Sequence, residues 1–242
     1  MYTLPSFLLF DLDDTLLDYT ESGRTCWQEL FLEYAPRFGV TVEQLTRAHQ
    51  VVSSWYWSDA ERHRLGRLNL RVARRQVLQL VVEKLGSDRQ ALGEEMADAF
   101  TLRRELLFAP FPGIIETLQE LQRRGIRMGL LTNGNSEFQR SKIQRFDLAR
   151  YFESILIESE FGAGKPNQRV FLAALEQMGA LPAQAWMIGD DLMRDIQPAR
   201  QLGLGTVWVD IENGGLPAGS PIVPMLTVHS VTDLIQASIQ NE

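Results

Sequence analysis

A single cysteine, Cys26, among 242 residues leaves no partner for an intramolecular disulfide and no basis for a cysteine-rich zinc site. Histidine is nearly as scarce. His49, His63 and His229 are scattered without metal-ligand spacing. Long apolar runs are missing: nothing approaches the ~20 consecutive apolar residues that span a bilayer. The stretch Met1 to Phe10 has no positive region ahead of its apolar run, which argues against a secretory signal. A positive charge excess is absent too. The chain carries 24 Lys+Arg against 31 Asp+Glu, a formal net charge of −7, whereas nucleic-acid binding calls for a basic footprint. These absences predict a soluble, cytoplasmic protein with neither a nucleic-acid nor a membrane partner. The 45% hydrophobic content suits a globular chain, and the length suits one large domain or two modest ones.

What is present has two textures. Phe7-Leu8-Leu9-Phe10 is a short apolar run that breaks into Asp11-Leu12-Asp13-Asp14-Thr15, the pattern of a buried strand ending at a site. From about Glu21 to Phe108, apolar residues recur at three- and four-residue steps, which predicts three or four helices and no strand. Ser87 is a candidate N-cap for a helix running to Leu107. Pro110 and Pro112 then stop any helix. Beyond them strands alternate with helices. Helices are expected over Ile114–Arg124, Glu137–Phe146, Asn167–Met178 and Asp195–Leu202. Strands are expected over Ile126–Leu131, Ser154–Glu158, Ala185–Ile188 and Thr206–Val209, with a loop over Gly214–Pro224 and a closing helix over Val231–Ile239. This alternation implies βαβ units with right-handed crossovers that place helices on both faces of a parallel sheet. The fold expected is α/β: a doubly wound, Rossmann-like core formed by 1–17 and 108–242, with an all-α helical bundle, 18–107, inserted after strand one.

Ligands of open α/β sheets bind at the carboxyl ends of the strands, and those ends carry the polar punctuation here. Asp11 and Asp13 follow the first strand, and Thr132 and Asn133 follow the second. Asp190 and Asp191 follow a later strand, with Asp195 close behind, and Lys165 lies in Gly164-Lys165-Pro166. Each piece alone is compatible with a turn or a helix cap. Together, at successive strand-to-helix transitions, they exceed what capping explains. Phosphoryl transfer needs such a set, because it depends on positioning and charge stabilisation. Clustered carboxylates call for a hard cation such as Mg²⁺, and one carboxylate can act as a covalent nucleophile.

With Asp11-Leu12-Asp13-Asp14-Thr15, Leu131-Thr132-Asn133, Gly164-Lys165-Pro166 and Gly189-Asp190-Asp191 plus Asp195, nearly the whole chain resembles the haloacid dehalogenase superfamily of aspartate-nucleophile phosphatases. The resemblance implies that Asp11 is the nucleophile and that Asp13 is general acid, then general base. It implies Mg²⁺ held by the Asp11 side chain, the Asp13 carbonyl and Asp190, with Asp191 and Asp195 as outer partners. It assigns phosphate binding to Thr132, Asn133 and Lys165. Arg194 departs from the family pattern, which has a small polar residue before the last aspartate. The implied activity is Mg²⁺-dependent hydrolysis of a small phosphate monoester, such as a sugar phosphate or nucleoside monophosphate, by a monomer or homodimer.

Alternatives divide on residues. A sugar phosphomutase keeps every motif. A 2-haloacid dehalogenase would leave Asp13 and the Asp190 cluster without a task. A phosphonate hydrolase needs a lysine in the insert, and only Lys84 is there, in the middle of a predicted helix. A phospho-accepting signalling domain lacks the ~90-residue insert. A P-loop is excluded because Ser159 stands where its first glycine belongs and Pro166 where its Ser/Thr belongs.

Within the insert, Arg64, Arg67, Arg71 and Arg74 fall at helical steps, so they are expected on one helix face. The plainer reading is a solvated polar surface. The sharper one has Arg64 or Arg67, beside Gly66, contacting substrate, with Trp55-Tyr56-Trp57 stacking on a ring. Cys26 and the histidines are assigned to structure. The segment 18–108 holds 13 Lys+Arg and 13 Asp+Glu, so the whole −7 belongs to the remainder.

Overall fold

The computed structural model describes residues 3–235. It divides into two compact units, one formed by 1–18 and 109–242, the other by 19–108.

The first unit is a Rossmann-like α/β core. Six parallel strands, β1 (Phe7–Phe10), β2 (Arg127–Thr132), β3 (Ser154–Ile157), β4 (Ala185–Gly189), β5 (Gly205–Val209) and β6 (Leu226–Val228), stand in the order β3-β2-β1-β4-β5-β6. All four residues of β1 are buried, as expected of a central parallel strand covered on both faces. Strand alternation then sorts side chains into two layers. Leu8, Phe10, Leu130, Ile188 and Val207 share one core with Ile114, Leu118 and Leu121. Phe7, Leu9, Leu131 and Met187 share the other with Val170, Phe171 and Met178. The first layer includes α6 (Ile114–Arg123) and Ile143 of α7 (Ser136–Arg145); the second includes α9 (Gln168–Met178). A one-turn helix, α8 (Glu158–Phe161), and a short one, α10 (Gln197–Gln201), complete the connections. The chain runs outward from β1 through β2 and β3, then returns to place β4 on the other side of β1. That reversal makes the gap beyond the ends of β1 and β4 the switch point where doubly wound sheets bind ligands.

The second unit holds five helices rather than three or four: α1 (Thr20–Phe38), α2 (Val42–Ser58), α3 (Ala60–Leu68), α4 (Leu70–Lys84) and α5 (Gln90–Leu107). Cys26, Leu30, Leu45, Leu78, Val81, Met96 and Phe100 are among its buried residues. Thr41 and Gln44 form a capping box at α2, which satisfies two otherwise orphaned backbone donors. Asn69 separates α3 from α4, its side chain accepting from Val72 N. The four arginines therefore do not share one helix face. Arg64 and Arg67 lie on α3, while Arg71 and Arg74 lie on α4. The Ser87 expectation is also corrected. Its hydroxyl accepts from Arg89 N at 3.2 Å, in the turn before α5, whose N-cap position is Arg89.

Strand β6 has no counterpart in the sequence pattern: three residues after a Gly- and Pro-rich loop are too few for a strand pattern to emerge. The closing helix expected over 231–239 is helical at 233–235, and its remainder lies outside the described residues. The helix expected from Asp195 instead begins with a wide turn, Leu192–Ile196, before α10. No helix of the described residues is long and apolar enough to cross a membrane.

Candidate active site

The ends of β1 and β4 bring the acidic residues together. Asp11 N donates to Ile188 O at 2.9 Å, carrying the β1–β4 ladder one residue past β1. The chain then turns tightly, with Leu16 N and Leu17 N both on Leu12 O and Asp14 at φ 56°. Aspartate is among the few non-glycine residues that tolerate this left-handed backbone. The turn places Thr15, whose hydroxyl donates to Asp190 Oδ1 at 3.3 Å. From β5, the Trp208 indole N–H donates to the Asp190 carbonyl at 2.7 Å and fixes the backbone there.

Asp11, Asp190 and Asp195 each present a carboxylate oxygen within 4.8 Å of the others. Burial, the largest cause, pushes the Asp11 carboxyl up to about 7, with Lys165 opposing and Asp195 reinforcing the rise. Burial, aided by the charges of Asp11 and Asp195, holds Asp190 well above the ordinary carboxylate range. Burial raises Asp195 likewise. Lys165 sits among them, 2.6 Å from Asp11 Oδ1 and 2.7 Å from Asp195 Oδ1. Its burial disfavours the ammonium, but the two aspartates outweigh that and raise its pKa. One lysine facing three close carboxylates, Asp195 fully buried and Asp11 and Asp190 half-buried, leaves negative charge uncompensated, and the donors are hard oxygens. The set fits Mg²⁺.

The remaining expected residues are placed as follows. Asp13 turns to a different lysine. Lys142 Nζ, fully buried on α7, lies 2.7 Å from both of its carboxylate oxygens. Thr132 is buried at the end of β2 and accepts a hydrogen bond from Gln139 Nε2. Asn133 braces the Lys165 backbone: its Oδ1 accepts from Lys165 N, and its Nδ2 donates to Lys165 O, both at 2.8 Å. Gly134 N donates to Glu158 Oε2 at 2.9 Å, tying this loop to α8. Asp191 accepts from Met193 N and Arg194 N. Arg194 Nη1 reaches Asp191 at 2.8 Å, so the unusual arginine engages Asp191. Asp195 is completely buried within the carboxylate cluster, and its Oδ2 accepts from Asp191 N at 3.1 Å.

Of the insert arginines, Arg64 pairs with Glu61 at 2.6 Å, and Arg67 contacts His63 at 3.2 Å. Both contacts lie within α3. Arg71 and Arg75 pair with Asp98, whereas Arg74 is buried and donates to Thr101. Trp57 packs so close to Gly66 that an added Cβ would stand 2.7 Å from its ring.

Sequence pattern alone does not single out Lys142 and Gln139. They lie inside a helix whose only signal is negative: Ser136–Arg145 has few apolar residues to cover its inner face. Some polar side chains must therefore turn inward and find partners there.

The fold and this carboxylate–lysine cluster have relatives. The chain belongs to the haloacid dehalogenase-like hydrolase family, whose model matches residues 7–203. It is 31% identical over 231 residues to the pyrimidine 5'-nucleotidase YjjG of Escherichia coli strain K12, covering 95% of this chain and 96% of that one. It is 32% identical over 247 residues to a phosphoserine phosphatase of Thermus thermophilus, covering 95% and 98%. Among solved structures, the magnesium-bound HAD-hydrolase YfnB of Bacillus subtilis matches at a TM-score of 0.74 and 21% identity, covering 99% of this chain and all of that one. At that identity the likeness speaks for the fold.

Proposed function

We propose that this hydrolase is a Mg²⁺-dependent phosphatase acting on a small phosphate monoester through an aspartyl-phosphate. The observation that carries this reading is the close cluster of Asp11, Asp190 and Asp195 around the buried Lys165 at the switch point of the sheet. Support comes from the two relatives above, each named for a phosphate-ester substrate. A dehalogenase would displace halide from carbon, with no leaving oxygen to protonate, and would leave Asp13 without work.

Asp11 attacks phosphorus, and the bond to the leaving oxygen breaks as that oxygen takes a proton from Asp13. Water then attacks the phosphorus of the aspartyl-phosphate and gives a proton to Asp13, and phosphate departs as the Asp11 carboxylate is restored. Lys165 and the Thr132 hydroxyl hold phosphoryl oxygens, and Asn133 keeps the Lys165 backbone in place. Bound Mg²⁺, held by Asp11, the Asp13 carbonyl and Asp190, would offset carboxylate repulsion and polarise the phosphoryl group. Asp191 and Asp195 support that ligand set from outside it.

The helical unit is proposed as a cap domain, with hinges where the chain crosses into and out of it at Asp18–Tyr19 and Ala109–Gly113. Lids of this kind exclude water during turnover.

A panel of sugar phosphates, nucleoside monophosphates and phosphoserine, assayed with Mg²⁺, tests the activity. Turnover should stop with a chelator and in Asp11→Asn. Equal phosphate release by Asp11→Asn would overturn the nucleophile assignment.

A further inference from the structure

Asp13 must present its carboxyl group first to a leaving oxygen and then to a water, and α7 holds that group from two sides. Lys142 Nζ lies 2.7 Å from both oxygens. Gln139 Nε2 lies 3.1 Å from Oδ2 and also donates to Thr132 Oγ1. Lys142 is completely buried and Gln139 is 1% exposed. The two are three residues apart on one face of α7, the spacing that makes helix side chains neighbours.

Their chemistry is specific. In its ionised form, the one that takes the proton from water, the Asp13 carboxylate only accepts hydrogen bonds, and the Gln139 group facing it is the amide nitrogen. That nitrogen has two hydrogens: one serves Asp13, the other serves Thr132. Because Thr132 Oγ accepts from Gln139, its own hydrogen is left to donate elsewhere, as a residue that grips a phosphoryl oxygen must. Lys142 adds a completely buried ammonium whose Nζ also lies 4.2 Å from the Phe138 ring centroid. Lys142 is the buried member of the pair and Asp13 is partly exposed, so breaking the contact would strand the lysine charge away from water.

We infer that Lys142 and Gln139 are positioning residues. Lys142 fixes the Asp13 carboxyl group, and Gln139 links that group to the phosphate-gripping hydroxyl of Thr132. Helix α7 thus sets proton transfer and phosphate binding together. The inference rests on the acid–base role proposed for Asp13.

The test is the dependence of rate on leaving group. Lys142→Met, Lys142→Arg, Gln139→Met and Asp13→Asn are compared with the wild-type enzyme on an alkyl phosphate, whose leaving oxygen needs a proton, and on p-nitrophenyl phosphate, whose leaving group departs without one. Lys142→Met should lower kcat on the alkyl phosphate about 100-fold, the scale of a misplaced catalytic group. It should lower kcat on p-nitrophenyl phosphate far less, with KM nearly unchanged. Lys142→Arg should recover part of the loss, and Gln139→Met should show the same selectivity with a raised KM. If Lys142→Met fails to fold, Gln139→Met decides. Equal losses on both substrates, or none, would overturn the inference. If Asp13→Asn itself shows no leaving-group selectivity, the acid–base reading of Asp13 is what falls. If Asp13→Asn is selective and the α7 variants are not, the positioning role falls alone.

Discussion

At Gly164 an added Cβ would stand 2.6 Å from Asn133 Oδ1 and 2.6 Å from the Glu158 carboxyl carbon. Both neighbours are occupied, Asn133 with the Lys165 backbone and Glu158 with Gly134 N. Neither can retreat without releasing a bond that shapes the loop under Lys165. Gly164→Ala is expected to lower kcat about 100-fold, the scale of a ~1 Å misplacement, while the melting temperature falls only a few degrees. Steady-state kinetics beside a thermal melt checks both. At this scale the sequence is legible wherever a residue punctuates a strand end. Asp11, Thr132 and Asp190 stand out because a short apolar run stops at or near them, and Lys165 stands out through the Gly164-Lys165-Pro166 motif. Gly164 is visible only as part of a motif, and its packing against Asn133 and Glu158 is a tertiary fact that no local pattern encodes.

Among the elements, α2 carries a buried titratable group. His49 lies 4.3 Å, centroid to centroid, from the Trp27 ring and 5.2 Å from Phe31. Burial pulls its pKa down from 6.5 to about 4. The unfolded chain therefore binds a proton between those values that the folded chain refuses. The stabilisation from a neutral His49 is complete above pH ~6.5 and is lost as pH falls toward 4, by about 3 kcal/mol in all. The clustered carboxylates of the core have raised pKa values that give the opposite slope over the same range, so the His49 contribution is read as the difference between wild type and His49→Phe in denaturant unfolding from pH 4 to pH 7. A stability difference between the two that does not shrink as pH falls from 7 toward 4 would refute the burial account. Helices with clear apolar periodicity are legible here, and so is the assignment of His49 to structure. The arginine row is not. A run at three- and four-residue steps looks the same whether one helix carries it or two, and only the cap made by Asn69 divides α3 from α4. In α7 the difficulty is different: an almost wholly polar helix gives no periodicity to say which side faces inward, so Gln139 and Lys142 look as solvated as Arg140 and Arg145.

On the scale of the whole molecule, each unit has its own buried cluster of apolar side chains. Such a unit has the means to fold alone. A polypeptide of residues 19–108 should give a helical circular dichroism spectrum and a cooperative melt, and a non-cooperative melt would contradict this. The discontinuous layout is legible because the strand pattern stops after β1 and resumes after Pro112. The net charge follows the same division, since the segment 18–108 balances to zero.

The solitary Cys26 has a practical consequence at this scale. It is fully buried, its Sγ lies 3.8 Å from Phe100 O, and burial pushes its pKa up to about 11. Thiolates, not thiols, react with maleimides and methanethiosulfonates, so the native chain is nearly inert to both. Cysteines introduced in pairs, one on the surface of each unit, would be the reactive sites for spin labels or dyes. The wild-type sequence thus serves directly as the background for distance spectroscopy during turnover, with no native thiol to remove first.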